Sequence, residues 1–115
     1  MIFVNIRNIR TFLPSIDFEV SKKFYLDLGF KILWQDDNLI IFGTNENNFF
    51  LQNGYNKDWA ENMMMQLHIE DLDSLHEHAK NLTTRYEGTT INDIFIAHYG
   101  RTFHLIGPAG ELWHM

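Results

Sequence analysis

The hydrophobic and polar residues of segment 13–30 have the pattern of a helix N-cap, an amphipathic helix and a residue that ends the helix. Asp17 is a good N-cap, because its carboxylate can accept the free amide hydrogens of a first helical turn. Val20, Phe24 and Leu28 form an apolar stripe at i, i+4 spacing. Gly29 supplies the left-handed conformation that ends many helices. The pattern therefore predicts a helix between Asp17 and Gly29.

The same pattern returns 54 residues later, where Asp71 takes the place of Asp17. Apolar residues follow this second cap at spacings of three, four and three: Leu72, Leu75, Ala79 and Leu82. An extended stretch precedes each cap, at residues 9–14 and 63–68. The recurrence predicts a duplicated unit, each copy beginning with a strand and a helix.

Strand-like runs follow both helices. In the first half they lie at residues 31–35, 39–42 and 49–52, and in the second at 86–90 or 94–97, then 102–106 and 112–115. The sequence thus predicts a single α+β domain over residues 1–115, with βαβββ modules at about 1–53 and 63–115 and a linker at 53–62. Each module has a single helix, and one helix can cover only one face of the sheet. We therefore expect the two tandem modules to curl around a shared cleft, where pockets tend to form.

Composition narrows the classes of partner. The 115 residues carry a net charge of −6 with only nine Lys and Arg, which argues against nucleic acid because phosphate neutralisation dominates that affinity. The acidic surface would attract cationic ligands, although it can equally serve solubility alone. Cysteine is absent from the sequence, so disulfides and thiolate metal sites are excluded. Without an apolar run of membrane-spanning length or a signal-peptide pattern, we expect a cytoplasmic protein with no membrane partner.

The chain resembles the glyoxalase/bleomycin-resistance/dioxygenase superfamily over nearly its whole length, which implies the vicinal oxygen chelate fold. The segments that carry the resemblance are Leu13-Pro14-Ser15 with Asp17, Phe24-Tyr25, Leu28-Gly29-Phe30, residues 69–73, residues 99–103 and Gly107-Pro108-Ala109-Gly110. The Leu-Pro start and the aromatic-Gly-Arg-x-Phe element are similar to the bleomycin-resistance branch. That branch implies a homodimer that stacks flat drug groups between aromatic side chains in a groove at the subunit interface.

Enzymes of this superfamily hold a divalent metal through His, Gln and Glu side chains of both halves. The positions that correspond to three of these ligands fall on Arg10, Met64 and His114. A guanidinium has a permanent charge and no lone pair to donate, so Arg10 would repel the ion. The resemblance therefore implies that the inherited metal site is missing and that no cofactor is needed. A displaced site made of His68, His104 and His114 stays open as an alternative.

The bleomycin-resistance branch implies stacking residues at Trp34 and Tyr99, with an acidic pair at Asp36 and Asp37. Further cleft positions, from strand alternation and from the resemblance, are Phe50, Gln52, Gln66, His104 and His114. Each assignment has a simpler structural alternative. Trp34 can belong to the core, the Asp pair to a turn, and Tyr99 to a hairpin cap.

We therefore favour a metal-free small-molecule binding protein of bleomycin-resistance type. It would sequester its ligand by stacking and hydrogen bonds, without a chemical reaction. Two enzymatic alternatives stay open. One is a metal-dependent lyase, isomerase or dioxygenase with a displaced site. The other is metal-free acid–base catalysis by His104 or His114, whose ordinary pKa suits proton transfer near neutrality.

Overall fold

The computed structural model describes residues 4–115. Its helices are α1 (Phe18–Leu28), α2 (Lys57–Glu61) and α3 (Leu72–Thr83). The strands of the first half are β1 (Phe12–Leu13), β2 (Ile32–Gln35), β3 (Leu39–Gly43) and β4 (Asn48–Gln52). Those of the second half are β5 (Met64–Gln66), β6 (Thr90–Ile91), β7 (Phe95–Ala97), β8 (Gly100–Thr102), β9 (His104–Ile106) and β10 (Leu112–His114).

Both predicted helices are confirmed together with their caps. The Asp17 carboxylate accepts the backbone N–H of Val20 at 3.2 Å, and the Asp71 carboxylate accepts that of Ser74 at 3.1 Å. Gly29 ends α1 with φ at 124°, in the region that glycine occupies without a steric penalty. The two caps therefore begin equivalent helices in the two halves.

Two four-stranded sheets share one topology. Sheet one has the order β1-β4-β3-β2, and sheet two has the order β5-β10-β9-β6. In each, the short first strand runs parallel to the last strand, and the remaining pairs are antiparallel. This repeat of order and direction confirms the predicted α+β class and its duplicated modules.

Several element boundaries differ from the sequence prediction. The stretches 9–14 and 63–68 contribute only two and three strand residues. Of the two alternatives for the second half, residues 94–97 contain β7, which pairs with β8 in a separate hairpin. Residues 86–90 are mostly turn, and only Thr90 belongs to a strand, β6 of sheet two. The linker contains α2, which begins where the Asn56 side chain accepts the Trp59 N–H at 3.2 Å.

The two sheets pack their apolar faces against one core. Phe49 of sheet one and Trp113 of sheet two have ring centroids 5.4 Å apart, and Tyr25 of α1 contacts both rings. Phe24 and Leu28 are buried as predicted, whereas Val20 lies at the edge of the helical stripe and stays exposed. The opposite face of each sheet is consequently left outside the core.

Residues 4–115 contain no helix with the length and apolar character required to cross a membrane.

Candidate functional site

The exposed face of sheet one carries a row of apolar side chains. Across four strands the register aligns Trp34 with Ile41, Ile41 with Phe50, and Phe50 with Phe12. With strands about 4.8 Å apart, the row is about 14 Å long. Trp34 and Phe12 are 47% and 46% exposed, so the two ends of the row remain open to solvent. The face is an apolar platform of the size of an extended aromatic system.

A register shift in β2 places Trp34 on this platform. Ile32 pairs with Phe42 on the core side, but the next registered pair is Trp34 with Ile41. Leu33 and Trp34 therefore oppose a single residue of β3, as in a β-bulge, which re-aims the side chains that follow. Regular alternation from Ile32 would have directed Trp34 into the core. The structure thus places Trp34 on the surface, against the alternative that it is a core residue.

The β1 edge of the platform combines a ring stack with a cation. The rings of Phe12 and Phe50 are stacked, with centroids 4.5 Å apart and planes at 16°. The guanidinium of Arg10 lies 5.6 Å from the Phe50 centroid, within the range of a cation–π contact. Arg10 Nε also donates a 2.6 Å hydrogen bond to Asn48 Oδ1. Arg10 is therefore held as the charged border of an apolar surface.

Asp36, Asp37 and Gln52 lie toward the other end of sheet one. Asp36 Oδ1 accepts the backbone N–H groups of Asn38 and Leu39, both at 2.8 Å. This carboxylate closes the turn between β2 and β3, which is the structural role that the sequence offered as an alternative to ligand binding. Asp37 is exposed, and Gln52 is half-buried on the same face as Phe50. Among the predicted acidic pair, Asp37 is the one whose carboxylate is not engaged in that turn.

The exposed face of sheet two carries a polar row. His114 is in register with Gln66 on one side and with His104 on the other. The imidazole centroids of His104 and His114 are 4.6 Å apart. Phe95 of the β7–β8 hairpin packs edge-on against His104 at 5.2 Å. Burial, and to a smaller extent the neighbouring His114, lowers the pKa of His104, so the His104 imidazole favours the neutral form.

Tyr99 lies at the tip of the β7–β8 hairpin and is 53% exposed. It lines a cavity of about 360 Å³ together with Gln66, His68 and Arg101. Two predicted site residues, Tyr99 and Gln66, are therefore brought together within one chain. Trp34, the stacking partner proposed for Tyr99, does not line this cavity.

A larger cavity of about 690 Å³ lies between the two halves. Phe30, Phe49 and Trp113 contribute apolar surface to it, and Asn48 and Gln66 contribute amides. A third cavity, of about 540 Å³, lies beside α1 and Tyr86. Most of the predicted site residues do not line any of these three cavities: Trp34, Asp36, Asp37, Phe50, Gln52, His104 and His114. Those residues lie instead on open sheet faces or in the turn beside them.

The metal site implied by the resemblance does not fit these residues. Arg10 stacks on Phe50 with its charged guanidinium, and Met64 is exposed with a thioether, a weak ligand for hard divalent ions. His114 is the single conventional ligand of the three. Within residues 4–115, three or more His, Cys, Asp or Glu side chains nowhere cluster as a metal site. The displaced set of His68, His104 and His114 is not such a cluster either.

Other histidines have structural contacts. The His76 ring bonds the carbonyl of Asn92 at 2.8 Å, packs on Phe103 and is half-buried. The His78 ring bonds the carbonyl of Asp27 and ties α3 to α1.

The sequence reasoning missed three contributors to the exposed faces: Phe12, Ile41 and Phe95. Phe12 could have been found, because alternation along β1 puts it on the same face as Arg10. Ile41 follows in the same way from the alternation of β3. The position of Phe95 depends on how the hairpin packs, for which the sequence holds no local signal.

Comparison with solved structures shows the fold. The structure matches a bleomycin resistance determinant encoded on transposon Tn5 with a TM-score of 0.76 and 23% identity, covering 93% of each chain. It matches the bleomycin-binding protein of Streptomyces verticillus, solved with copper(II)-bleomycin, with a TM-score of 0.77 and 19% identity over 97% of this chain and 96% of that one.

A third match is a glyoxalase-related enzyme from Fulvimarina pelagi, with a TM-score of 0.73 and 12% identity over 95% of this chain and 86% of that one. No protein-family profile matches the sequence, and no curated protein matches it. The likeness establishes the vicinal oxygen chelate fold, which binding proteins and enzymes share.

Proposed function

We propose that this protein is a small-molecule binding protein of the bleomycin-resistance type, which sequesters a planar aromatic ligand by a mechanism that requires no metal and no chemical reaction. The observation that carries the proposal is the exposed row from Trp34 through Ile41 and Phe50 to Phe12. Stacking of a ligand ring on such a side chain contributes about 1–3 kcal/mol per ring. A contiguous exposed apolar surface of this kind is typical of ligand-binding and interaction sites.

The proposed slot is closed by a second copy of the chain. Trp34 and Phe50 lie on sheet one, whereas His104 and His114 lie on sheet two, and these four residues do not line the three cavities described above. A flat ligand on sheet one alone would be covered on one side only. In a homodimer, sheet two of the partner would cover the other side and offer Gln66, His104 and His114 as hydrogen-bonding groups.

The charges support a ligand with a cationic part. The net charge of −6 attracts cations over distance, and the exposed Asp37 lies at one end of sheet one. Arg10 marks the opposite end, which suits a polar or anionic group of the ligand. The two charges give the platform a direction, so one orientation of an elongated ligand is favoured.

The fold neighbours agree with this proposal in their own functions, since two of them are a bleomycin resistance determinant and a bleomycin-binding protein. The enzymatic alternatives lack a comparable observation. The stacked Arg10 occupies the position that the resemblance assigns to a metal ligand, and the four side chains of the aromatic row carry no ionisable group. The cytoplasm remains the compartment that we expect for this function.

Titration of the EDTA-treated protein with metal-free bleomycin and with 9-aminoacridine, a cationic planar aromatic, tests the proposal. We expect quenching of tryptophan fluorescence that saturates at one ligand per chain, and a dimer by sedimentation. Calorimetry should show loss of binding in Trp34→Ala and retention in the control Trp59→Ala, whose side chain is exposed on α2. Absence of binding by both probes, or equal binding by Trp34→Ala, would refute the proposed slot.

A further inference from the structure

His104 and His114 differ from the helix histidines in their hydrogen bonding. The rings of His76 and His78 each bond a backbone carbonyl. Among residues 4–115, the rings of His104 and His114 contact each other and Phe95 but have no hydrogen-bond partner. A neutral imidazole always has one nitrogen with a free lone pair. Two such lone pairs are therefore available side by side on the exposed face of sheet two.

We propose that His104 and His114 form a binding site for a divalent transition-metal ion, with Cu²⁺ as the ion held most tightly. The separation of the two rings matches that of two imidazoles bound to one ion. At a metal–nitrogen distance of about 2.0–2.1 Å, an imidazole centroid lies about 3.2 Å from the ion. Two imidazoles at adjacent corners, about 90° apart, then have centroids about 4.5 Å from each other. The observed separation is 4.6 Å.

The backbone fixes this separation before any ion arrives. His104 and His114 are directly paired residues of the antiparallel strands β9 and β10, so their side chains leave the same face at neighbouring points. Phe95 packs edge-on against His104, with ring centroids 5.2 Å apart. The rings, which now meet edge to face at 82°, need only side-chain rotation to direct both lone pairs toward one ion.

The neighbouring groups are compatible with an open coordination sphere. Gln66, in register with His114, can offer an amide oxygen as a third ligand. The remaining positions are left for water or for a chelating ligand. Cu²⁺ is favoured because it binds imidazole most strongly among the common divalent ions and accepts ligands at 90°. This site shares His114 with the one implied by the superfamily, but it uses His104 in the adjacent strand and does not involve Arg10 or Met64.

The proposal does not depend on the proposed function, since the ion can bind without an organic ligand. The two are nevertheless connected in space. An ion on the His pair would present its open positions on the face that we expect to cover the aromatic slot. A ligand that combines a planar ring system with metal-chelating groups could then contact both.

The test uses the EDTA-treated full chain titrated with CuCl₂ alone, followed by calorimetry and by electron paramagnetic resonance. We expect one Cu²⁺ per chain with hyperfine coupling to imidazole nitrogen. Since even indirect disturbance of a metal site weakens affinity about 10–100-fold, removal of either ring in His104→Ala or His114→Ala should weaken it at least that much. His98→Ala, which alters a histidine of the hairpin tip, is the matched control and should bind normally.

Failure of the wild-type protein to bind Cu²⁺ at one site per chain overturns the proposal. Equal binding by the His104→Gln/His114→Gln double variant does so as well, and these variants replace the alanines if those do not fold. Because no organic probe is present, either failure leaves the aromatic slot unaffected. Conversely, a normal copper signal in Trp34→Ala would separate the metal site from that slot.

Discussion

The hydroxyl of Tyr25 donates a 2.8 Å hydrogen bond to the carboxylate of Glu111, 86 residues away in the sequence, and both side chains are fully buried. Trp113 Nε1 donates to the same hydroxyl at 3.0 Å. The backbone N–H of Ala109 donates to the other carboxylate oxygen at 2.8 Å. These bonds connect α1 of the first half with the last turn and strand of the second, so a polar network joins the two modules inside an apolar core.

Tyr25→Phe should therefore destabilise the fold far more than the loss of one hydroxyl suggests. The variant keeps the ring contacts but leaves the Glu111 carboxylate and the Trp113 Nε1 each without this buried partner, at about 1–3 kcal/mol for each group. We expect the free energy of unfolding in urea to decrease by roughly 2–6 kcal/mol.

Tyr86→Phe is the control for this prediction, because the Tyr86 hydroxyl bonds Asp27 near the surface. Its loss should cost less than about 1 kcal/mol. Similar losses in the two variants would show that burial of the network is not what makes it stabilising.

Glu111 should make stability depend on pH. Burial raises the pKa of Glu111 above its ordinary value of 4.5, and the hydrogen bonds from the backbone and Tyr25 only partly oppose this. The folded state then retains a proton that the unfolded state has released, so the free energy of unfolding decreases as pH rises from about 4.5 through the raised pKa. Glu111→Gln is uncharged throughout and should show a shallower decrease in urea unfolding between pH 4.5 and 8. An unchanged slope would assign the dependence to other groups.

The parts of the fold that the sequence predicts are those with local causes. Caps at Asp17 and Asp71 and the stop at Gly29 depend on nearby backbone groups, so they could be located by residue type and spacing. Strand alternation at residues 63–65 likewise predicts that Met63 and Met65 face the core and that Met64 faces away from it. Met64 is 63% exposed.

Other features depend on contacts between distant segments, which spacing does not encode. The buried Glu111 follows a turn whose residues favour exposure, and its carboxylate is held in the core by hydrogen bonds from Tyr25 and from the Ala109 N–H. Trp34 reaches the surface through a register shift against β3. The candidate site could thus be predicted as a set of positions, while its division between two sheet faces could not.

Phe12 and Phe50 should be energetically coupled. Their rings stack at 4.5 Å, and aromatic pairs contribute about 0.5–1.5 kcal/mol beyond burial. In a double-mutant cycle with Phe12→Ala and Phe50→Ala, we expect a coupling of this size in the free energy of unfolding. The noncontact pair Phe12→Ala with Leu26→Ala, an exposed residue of α1, should be additive. Coupling no larger than in that control would mean that the stack contributes nothing in solution.

Arg101→Gln should loosen the β7–β8 hairpin with little effect on global stability. Arg101 donates to both carboxylate oxygens of Asp73, at 2.7 and 3.1 Å, and so attaches β8 to the first turn of α3. Both side chains are exposed, and ion pairs between exposed side chains contribute little to the stability of the whole fold. The hairpin belongs to neither four-stranded sheet, so loss of this attachment should speed hydrogen exchange at residues 95–102 and leave β9 unchanged.

Acid should have the same effect on the hairpin as the substitution. The hydrogen bonds from Arg101 are the main reason that the pKa of Asp73 lies below its ordinary value of 3.8. A lowered pKa in the folded state means that the contribution of Asp73 is present above pH 3.8 and is lost as pH falls through the lowered value. Arg85→Gln removes an ion pair with Asp27 that does not involve the hairpin. Faster exchange in that control to the same extent, or none in Arg101→Gln, would contradict the attachment and leave the Phe95 contact with His104 to position the hairpin.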